Sequence, residues 1–524
     1  MNTELTVLAV LGAVLVLIVL SDKFQLPYPI LLVLGGLGLG FAPGMPDVEL
    51  DPDVVLLIVL PPLLYSSAFF SSLRELRTNL RSISLLAVGV VLATTGVVAV
   101  VAHALIPGMS WEAAFVLGAI VSPTDPVAAS AILQRLSVPR RVVTVVEGES
   151  LINDATALVA YRVAVAAAVT GSFSLFDAGG RFLLNVVVGA AIGLTVGWVV
   201  ARLRRSIENP PVEMAISIST AYFAYLPAEA IGVSGVIAAA TVGVYLGWMA
   251  PKLIAPSTRL QVYGVWEVTV FFLNSFLFVL IGLQLPSILD ALSGRSAGDL
   301  VLYGAAVSGA VILTRIVSAP FVAYLPRYLF PRIRERDPYP HWKEVVLVAW
   351  NGMRGAVSLA AALALPLTTH AGQPFPERDL IIFLTFSVIL VTLLVQGLSL
   401  PALIRGLDVH DDGEVAAESK ARLKAAKAAI ARLDELREEE WTRDETIERM
   451  RAMYEYRTRR FRARFVDDGE DYDGRSVLYQ RAVREVLQAQ RDAIIEMRDA
   501  GTISSETMHR IERDLDLEDT RLEI

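Results

Sequence analysis

The chain has 524 residues, 54% hydrophobic and 19% charged, and its mean hydropathy of +0.54 is well above that of a soluble protein of this length. The formal charge of −8 belongs mostly to a densely charged stretch beyond about residue 406, so it argues for neither nucleic acid nor an acidic substrate. With no cysteine, disulfides and thiolate metal sites are excluded.

Before that stretch the sequence is a succession of 13 apolar segments, near residues 4–20, 27–43, 53–71, 82–106, 111–134, 144–170, 181–203, 211–227, 232–250, 262–286, 299–325, 343–368 and 379–404. Met1-Asn2-Thr3-Glu4 lacks the basic start of a signal peptide, so the first segment is read as a retained transmembrane helix. The connecting loops alternate in charge. Arg74 to Arg81, Gln134 to Arg141, Arg202 to Arg205, Pro326 to Lys343 and Arg405 onward are basic. Those around Pro46–Asp53, Phe173–Gly180, Leu226–Val233 and His370–Asp379 are short, neutral or acidic. The positive-inside rule then places the N-terminus outside and the tail in the cytoplasm, which needs an odd number of spans.

Polar groups inside such segments are costly and point to function. In the third, Leu60-Pro61-Pro62 leads to Ser66 and Ser67, hydroxyls without an acid. In the fifth, Ser122-Pro123-Thr124-Asp125-Pro126 sets two helix-breaking prolines around a threonine and an acid. The sixth carries Glu147, Ser150 and Asp154 on one helical stripe and Glu149 and Asn153 on another. The tenth places Glu267 and Asn274 seven residues apart, on one face. Arg315, deep in the eleventh, needs a carboxylate partner, and Glu149 is the candidate. In the twelfth, Gly352 and Gly355 flank Arg354 in Trp350-Asn351-Gly352-Met353-Arg354-Gly355.

Irregular backbone at membrane depth is tolerated where it lines a cavity or is buried in protein. The two broken segments stand seven spans apart, the spacing of corresponding members of inverted repeats, and such interrupted helices mark transporter sites. A purely structural reading has neighbouring helices satisfy the acids and treats the breaks as packing kinks. It does not explain why each break also carries an ionisable residue. Gly- and Ala-rich runs such as Gly235–Gly247 read as close helix packing.

From about Val409 the sequence predicts a soluble helical domain, giving domains of 1–408 and 409–524. Glu418–Arg464 is rich in Ala, Glu and Arg with i, i+4 charge pairs. Val466–Gly474 reads as an acidic loop without the calcium-loop pattern. Val483, Leu487, Ile494 and Met497 have heptad spacing, Gly501 ends that helix, and Ser504-Ser505 begins another.

Four of these motifs, in order, resemble one family: the monovalent cation/proton antiporters, in the bacterial sodium/proton (NhaP-type) branch related to the animal exchangers. They are Leu60-Pro61-Pro62, Ser122-Pro123-Thr124-Asp125-Pro126, Gly148-Glu149-Ser150-Leu151-Ile152-Asn153-Asp154 and Gly352-Met353-Arg354-Gly355-Ala356-Val357. The resemblance covers residues 1–405. It implies an all-α polytopic membrane protein of about thirteen helices, with inverted repeats and two broken crossing helices, followed by a cytoplasmic helical domain. It implies a homodimer among membrane lipids in the cell membrane, with no nucleic acid, a cytoplasmic regulator on the tail, and no cofactor. It implies exchange of Na⁺, or Li⁺ or K⁺, for H⁺.

Residue by residue, Asp154 matches the acid that carries cation or proton, Asn153 the preceding amide, and Ser150 and Thr124 oxygen ligands, so Na⁺ is placed at Asp154, Thr124 and Ser150. Asp125 matches the acid at the crossing, Glu149 and Arg315 a structural ion pair, and Arg354 a positive charge near the crossing. Some relatives carry another acid in the third span, where this chain has Ser66 and Ser67. Asn153 stands where electrogenic relatives carry a second acid, so electroneutral one-for-one exchange by alternating access is expected. A cation channel with a regulatory tail, a K⁺/H⁺ antiporter and an intramembrane carboxylate-pair hydrolase are the alternatives.

Overall fold

The computed structural model describes residues 3–24, 27–42, 52–136, 138–170, 175–207, 209–370, 372–409, 412–439, 441–463 and 472–522. By internal contacts the chain separates into two compact units, Met1–His410 and Asp411–Ile524.

The first unit is helical throughout its described core. It begins with α1 (Thr3–Phe24), α2 (Tyr28–Gly40), α3 (Leu60–Phe70), α4 (Leu73–Ser84), α5 (Val91–Leu105), α6 (Trp111–Val121) and α7 (Pro126–Arg135). Next come α8 (Arg140–Thr170), α9 (Leu175–Arg204), α10 (Pro210–Ala230), α11 (Gly235–Leu253), α12 (Pro256–Leu283) and α13 (Leu285–Ala291). It closes with α14 (Ala297–Leu329), α15 (Pro331–Arg336), α16 (Trp342–Trp350), α17 (Ala356–Leu363), α18 (Arg378–Thr392) and α19 (Leu398–Leu407). Wider π turns at Val54–Val59, Leu85–Val90 and Leu393–Gly397 join neighbouring helices, and nothing in the sequence marks them.

Every apolar segment coincides with helix, but by length and composition eight helices among the described residues suffice to cross a membrane. The segment at 4–20 lies within the apolar 22-residue α1, and those at 27–43, 53–71, 211–227 and 343–368 form shorter or more polar helices.

Helix starts follow local chemistry. Ser72, Ser110 and Ser234 cap α4, α6 and α11 by accepting from Glu75, Ala113 and Ile237 backbone N–H groups. Close helix contacts follow the small residues. Gly36 and Gly282 face each other between α2 and α12, where an added Cβ would lie 2.3 Å from the Val279 carbonyl oxygen on one side and 2.2 Å from that of Val33 on the other. Gly243 and Gly247 of the Gly235–Gly247 run admit the Tyr65 and Phe69 backbone in the same way, which confirms packing as their role.

In the second unit, α20 (Asp412–Leu436) and α21 (Asp444–Ala463) pair, with Leu433, Ile447 and Phe461 buried. Then α22 (Tyr472–Asp499) and α23 (Ser505–Leu522) bury Leu487, Ile494, Met508 and Leu515 together. Gly501 turns the chain at φ +71°, and Ser504 caps α23 by accepting from Thr507 N–H at 3.1 Å. Two expectations need correction. Met497 is 42% exposed rather than part of the seam, because the start of α23 opposite that end is polar. Of the acidic loop, Tyr472–Gly474 already belong to α22, and 466–471 lie outside the described residues.

Candidate functional site

The fifth and twelfth segments are both broken, as the Pro and Gly residues demand. The helix α6 stops at Val121 and α7 resumes at Pro126, while α16 stops at Trp350 and α17 resumes at Ala356. Such breaks leave helix-end carbonyls and N–H groups without partners inside the chain's own helices. The two breaks supply them to each other. Asp125 N–H donates to the Met353 carbonyl at 2.8 Å. Arg354, 1% exposed, donates from Nε to Val121 O at 3.0 Å and from Nη2 to Ser122 O at 3.5 Å, and Nη1 donates to Gly352 O. A cation thus sits on the carbonyl end of α6, where the helix dipole favours it. Its backbone N–H is held by Thr392 Oγ1 at 3.2 Å, from α18.

At the N-terminus of α7, Asp125 Oδ1 accepts from Val127 N–H at 2.9 Å. Gly355 is required beside it: a Cβ there would stand 1.6 Å from Asp125 Oδ2 and 2.8 Å from Asp125 Cβ. Gly355→Ala is therefore expected to push Asp125 off its cap, with an overpacking cost of about 1–3 kcal/mol. A thermal melt and a transport assay on the variant check this, and unchanged values in both would show that the crossing yields freely.

The helix α8 runs beside the first break and carries the two stripes. Ser150 Oγ donates to Thr124 O at 3.0 Å, and Asn153 Nδ2 donates to Thr124 Oγ1 at 2.8 Å. The Asn153 Oδ1 atom is buried and has no partner, and the Asp154 carboxyl, 8% exposed, makes no hydrogen bond or ion pair among the described residues. A cavity of about 680 Å³ is lined by Thr124, Asp125, Ser150 and Asp154, and also by Glu147, Ser66 and Ser67. Glu147 accepts from Ser130 Oγ at 3.2 Å. On the opposite wall, Asn274 is buried and Glu267 exposed, near the exposed Tyr263 and Phe70. The cavity therefore brings the first stripe, Thr124 and the crossing acid to one space, while Asn153 of the second stripe reaches it only through its bond to Thr124. Its lining includes Phe70 of α3, Ser130 of α7 and Glu147 of α8, each close in sequence to the Arg-rich 74–81 and 134–141 stretches, the first of which forms helix α4 rather than the loop expected from the sequence.

The second stripe's acid faces elsewhere. Glu149 and Arg315 form a two-pronged ion pair, with Nη2 to Oε2 at 2.8 Å and Nη1 on Oε1, both side chains 1–2% exposed. Arg315 also donates to Val348 O at 3.1 Å, so the pair joins α8, α14 and α16.

Four contributors escaped sequence reasoning: Ser130, Thr392, Tyr28 on the cavity wall, and the group in which Trp266, also on that wall, is backed by Ser217 and Tyr65. In the last, Trp266 Nε1 donates to Ser217 Oγ at 3.0 Å. Lone hydroxyls and aromatic rings in apolar helices carry no signal before their neighbours are known.

Comparison with known proteins gives the family and the fold. The family model described as the transmembrane sodium/hydrogen exchanger matches residues 10–406. An uncharacterized Na⁺/H⁺ exchanger of Mycobacterium tuberculosis is 38% identical over 522 residues, covering 98% of this chain and 95% of the relative. A sodium, potassium, lithium and rubidium/H⁺ antiporter of Bacillus subtilis is 32% identical over 504 residues, covering 92% and 72%. The Na⁺/H⁺ antiporter of Aphanothece halophytica is 34% identical over 437 residues, covering 82% and 79%. Among solved structures, the sodium proton antiporter of Methanocaldococcus jannaschii at pH 8 shares the fold, with a TM-score of 0.58, 20% identity, and coverage of 78% of this chain and 99% of that one.

Proposed function

Because this chain belongs to the sodium/hydrogen exchanger family, we propose that it exchanges Na⁺ for H⁺ across the membrane by letting the two compete for the carboxyl of Asp154. The observation that carries this reading is that carboxyl itself. It is nearly buried, lacks any protein partner among the described residues, and lines the same cavity as Thr124 and Ser150. A carboxylate left so far from water is stabilised by a bound cation or by a proton. Carboxylate, hydroxyl and amide oxygens are the hard ligands an alkali ion prefers. Na⁺ and H⁺ are the substrates, and the chemistry needs no cofactor.

Arg354 supports this as a fixed charge that holds the crossing together, and Glu149 with Arg315 as a structural pair. Asp125 caps α7 and faces the same cavity. By the positive-inside rule the Arg-rich ends lie in the cytoplasm, so the cavity faces inward here, the N-terminus lies outside and the 409–524 domain is cytoplasmic and regulatory. Exchange follows if one bundle shifts against the other only when Asp154 is occupied. A homodimer in the cell membrane is part of this reading. The potassium in the name of the Bacillus subtilis relative favours one second reading, in which K⁺ is also carried.

Stoichiometry follows from the same site. Asn153 is bonded through its amide and has no proton to give, and Glu149 is held by Arg315. That leaves Asp154 to carry the proton, hence one H⁺ per monovalent cation. One net charge per cycle would be worth about 2.3 kcal/mol per 100 mV. The expected result is that the reversal point in proteoliposomes follows the Na⁺ and H⁺ gradients and does not move when the potential is clamped. A reversal point that moves with voltage would mean a second proton carrier, Asp125 first.

A further inference from the structure

At the Arg-rich end of α14 the chain leaves the span through Tyr328, Leu329 and Phe330, turns through α15, and re-enters at Trp342. Tyr328, Phe330 and Trp342 are 77%, 57% and 56% exposed and flank the turn on both sides. Between them Arg332, Arg334 and Arg336 are exposed and make no ion pair or hydrogen bond among the described residues.

The acids of the turn do not cancel this charge. Glu335 is a single exposed carboxylate. Asp337 is already held by Arg81 at 2.6 Å, Arg141 at 3.0 Å and Arg327 at 2.7 Å. Arg327 is buried and also donates from Nε to the carbonyls of Asp337 at 3.1 Å and Pro338 at 3.2 Å. The turn is thus tied to the end of α14, to the last turn of α4 through Arg81 and to the first turn of α8 through Arg141. It presents its free guanidinium groups from a fixed backbone.

Two further features choose the ligand. Exposed amphipathic aromatic rings at a span end sit at the headgroup level of a bilayer. Phe321, Leu325 and Leu329, four residues apart on α14 and 59%, 45% and 56% exposed, form an apolar stripe leading up to the arginines. A planar guanidinium matches a phosphate with two parallel hydrogen bonds. We propose that the 328–342 turn seats the phosphate headgroup of an anionic phospholipid, whose acyl chains lie along the Phe321–Leu329 stripe. A free anion would satisfy the arginines but leave the stripe and the rings unexplained.

The test uses the full chain in detergent with equal amounts of dioleoyl phosphatidylglycerol and dioleoyl phosphatidylcholine, counting retained lipids by native mass spectrometry. The parent is expected to retain the anionic lipid in preference. Each arginine near an anionic surface contributes about fivefold, so Arg332→Gln/Arg334→Gln/Arg336→Gln should lose at least about tenfold of that retention and none of its phosphatidylcholine. The corresponding triple Lys variant, which keeps the charge but not the two-pronged geometry, should fall between the parent and the triple Gln variant. Should the triple Gln variant fail to fold, the single Arg334→Gln, with an expected loss of about fivefold, decides. Unchanged retention in the neutralised variant would overturn the proposal. Displacement of phosphatidylglycerol by millimolar inorganic phosphate would overturn it in favour of a free-anion site.

Discussion

Asp154→Asn should abolish cation/proton exchange while the protein still inserts, purifies and melts close to the parent. The substitution keeps the shape of the side chain and removes its proton-bearing and cation-binding charge. Since the Asp154 carboxyl makes no hydrogen bond or ion pair among the described residues, the amide leaves no protein group stranded. A fall in ΔpH-driven ²²Na⁺ uptake to the level of empty vesicles is expected. Retained uptake would remove Asp154 from the centre of the mechanism.

Glu149→Gln and Arg315→Gln should act in the opposite way, on stability first. Each leaves its partner charged at 1–2% exposure, with no second counter-charge shown in contact. Breaking a buried pair by removing one member costs about 3–5 kcal/mol. Both variants should melt several degrees below the parent and give lower yield, and exchanging the two charges should recover part of the loss. Because the pair joins α8 to α14 and α16, transport should fall with folded yield rather than through a changed cation affinity. Parental melting of both single variants would show that the ion pair adds nothing to the fold.

Much of the site was legible in the sequence because a bilayer makes certain residues hard to explain otherwise. A carboxylate and an arginine deep in separate apolar segments must find each other, and Glu149 and Arg315 do so across 166 positions. Two prolines around Asp125 interrupt a helix and two glycines around Arg354 weaken one, and both segments break there. The helical period places Ser150 and Asp154 on one wall and turns Glu149 away from it. Other features depend on groups distant in sequence. Nothing local tells that Gly355 must admit Asp125, that Thr392 holds the Arg354 backbone, or that Arg354 covers the open end of α6. The π turns answer to packing rather than to any residue type. In the tail, heptad spacing picks out the buried Leu487 and Ile494 but not the point where the partner helix stops covering that face, so Met497 shares the spacing and is exposed.

The claim at the centre, that sodium and a proton displace one another at Asp154, can be measured without any membrane gradient. Sodium is titrated into the detergent-solubilised protein by calorimetry in two buffers of different ionisation enthalpy, which gives the protons released per cation bound. The release should approach one proton per sodium at the more acidic pH values of a series, where Asp154 starts protonated. The release should shrink as pH rises, and Asp154→Asn should show neither binding nor release. Sodium binding without proton release at every pH, or an undiminished release in Asp154→Asn, would contradict it.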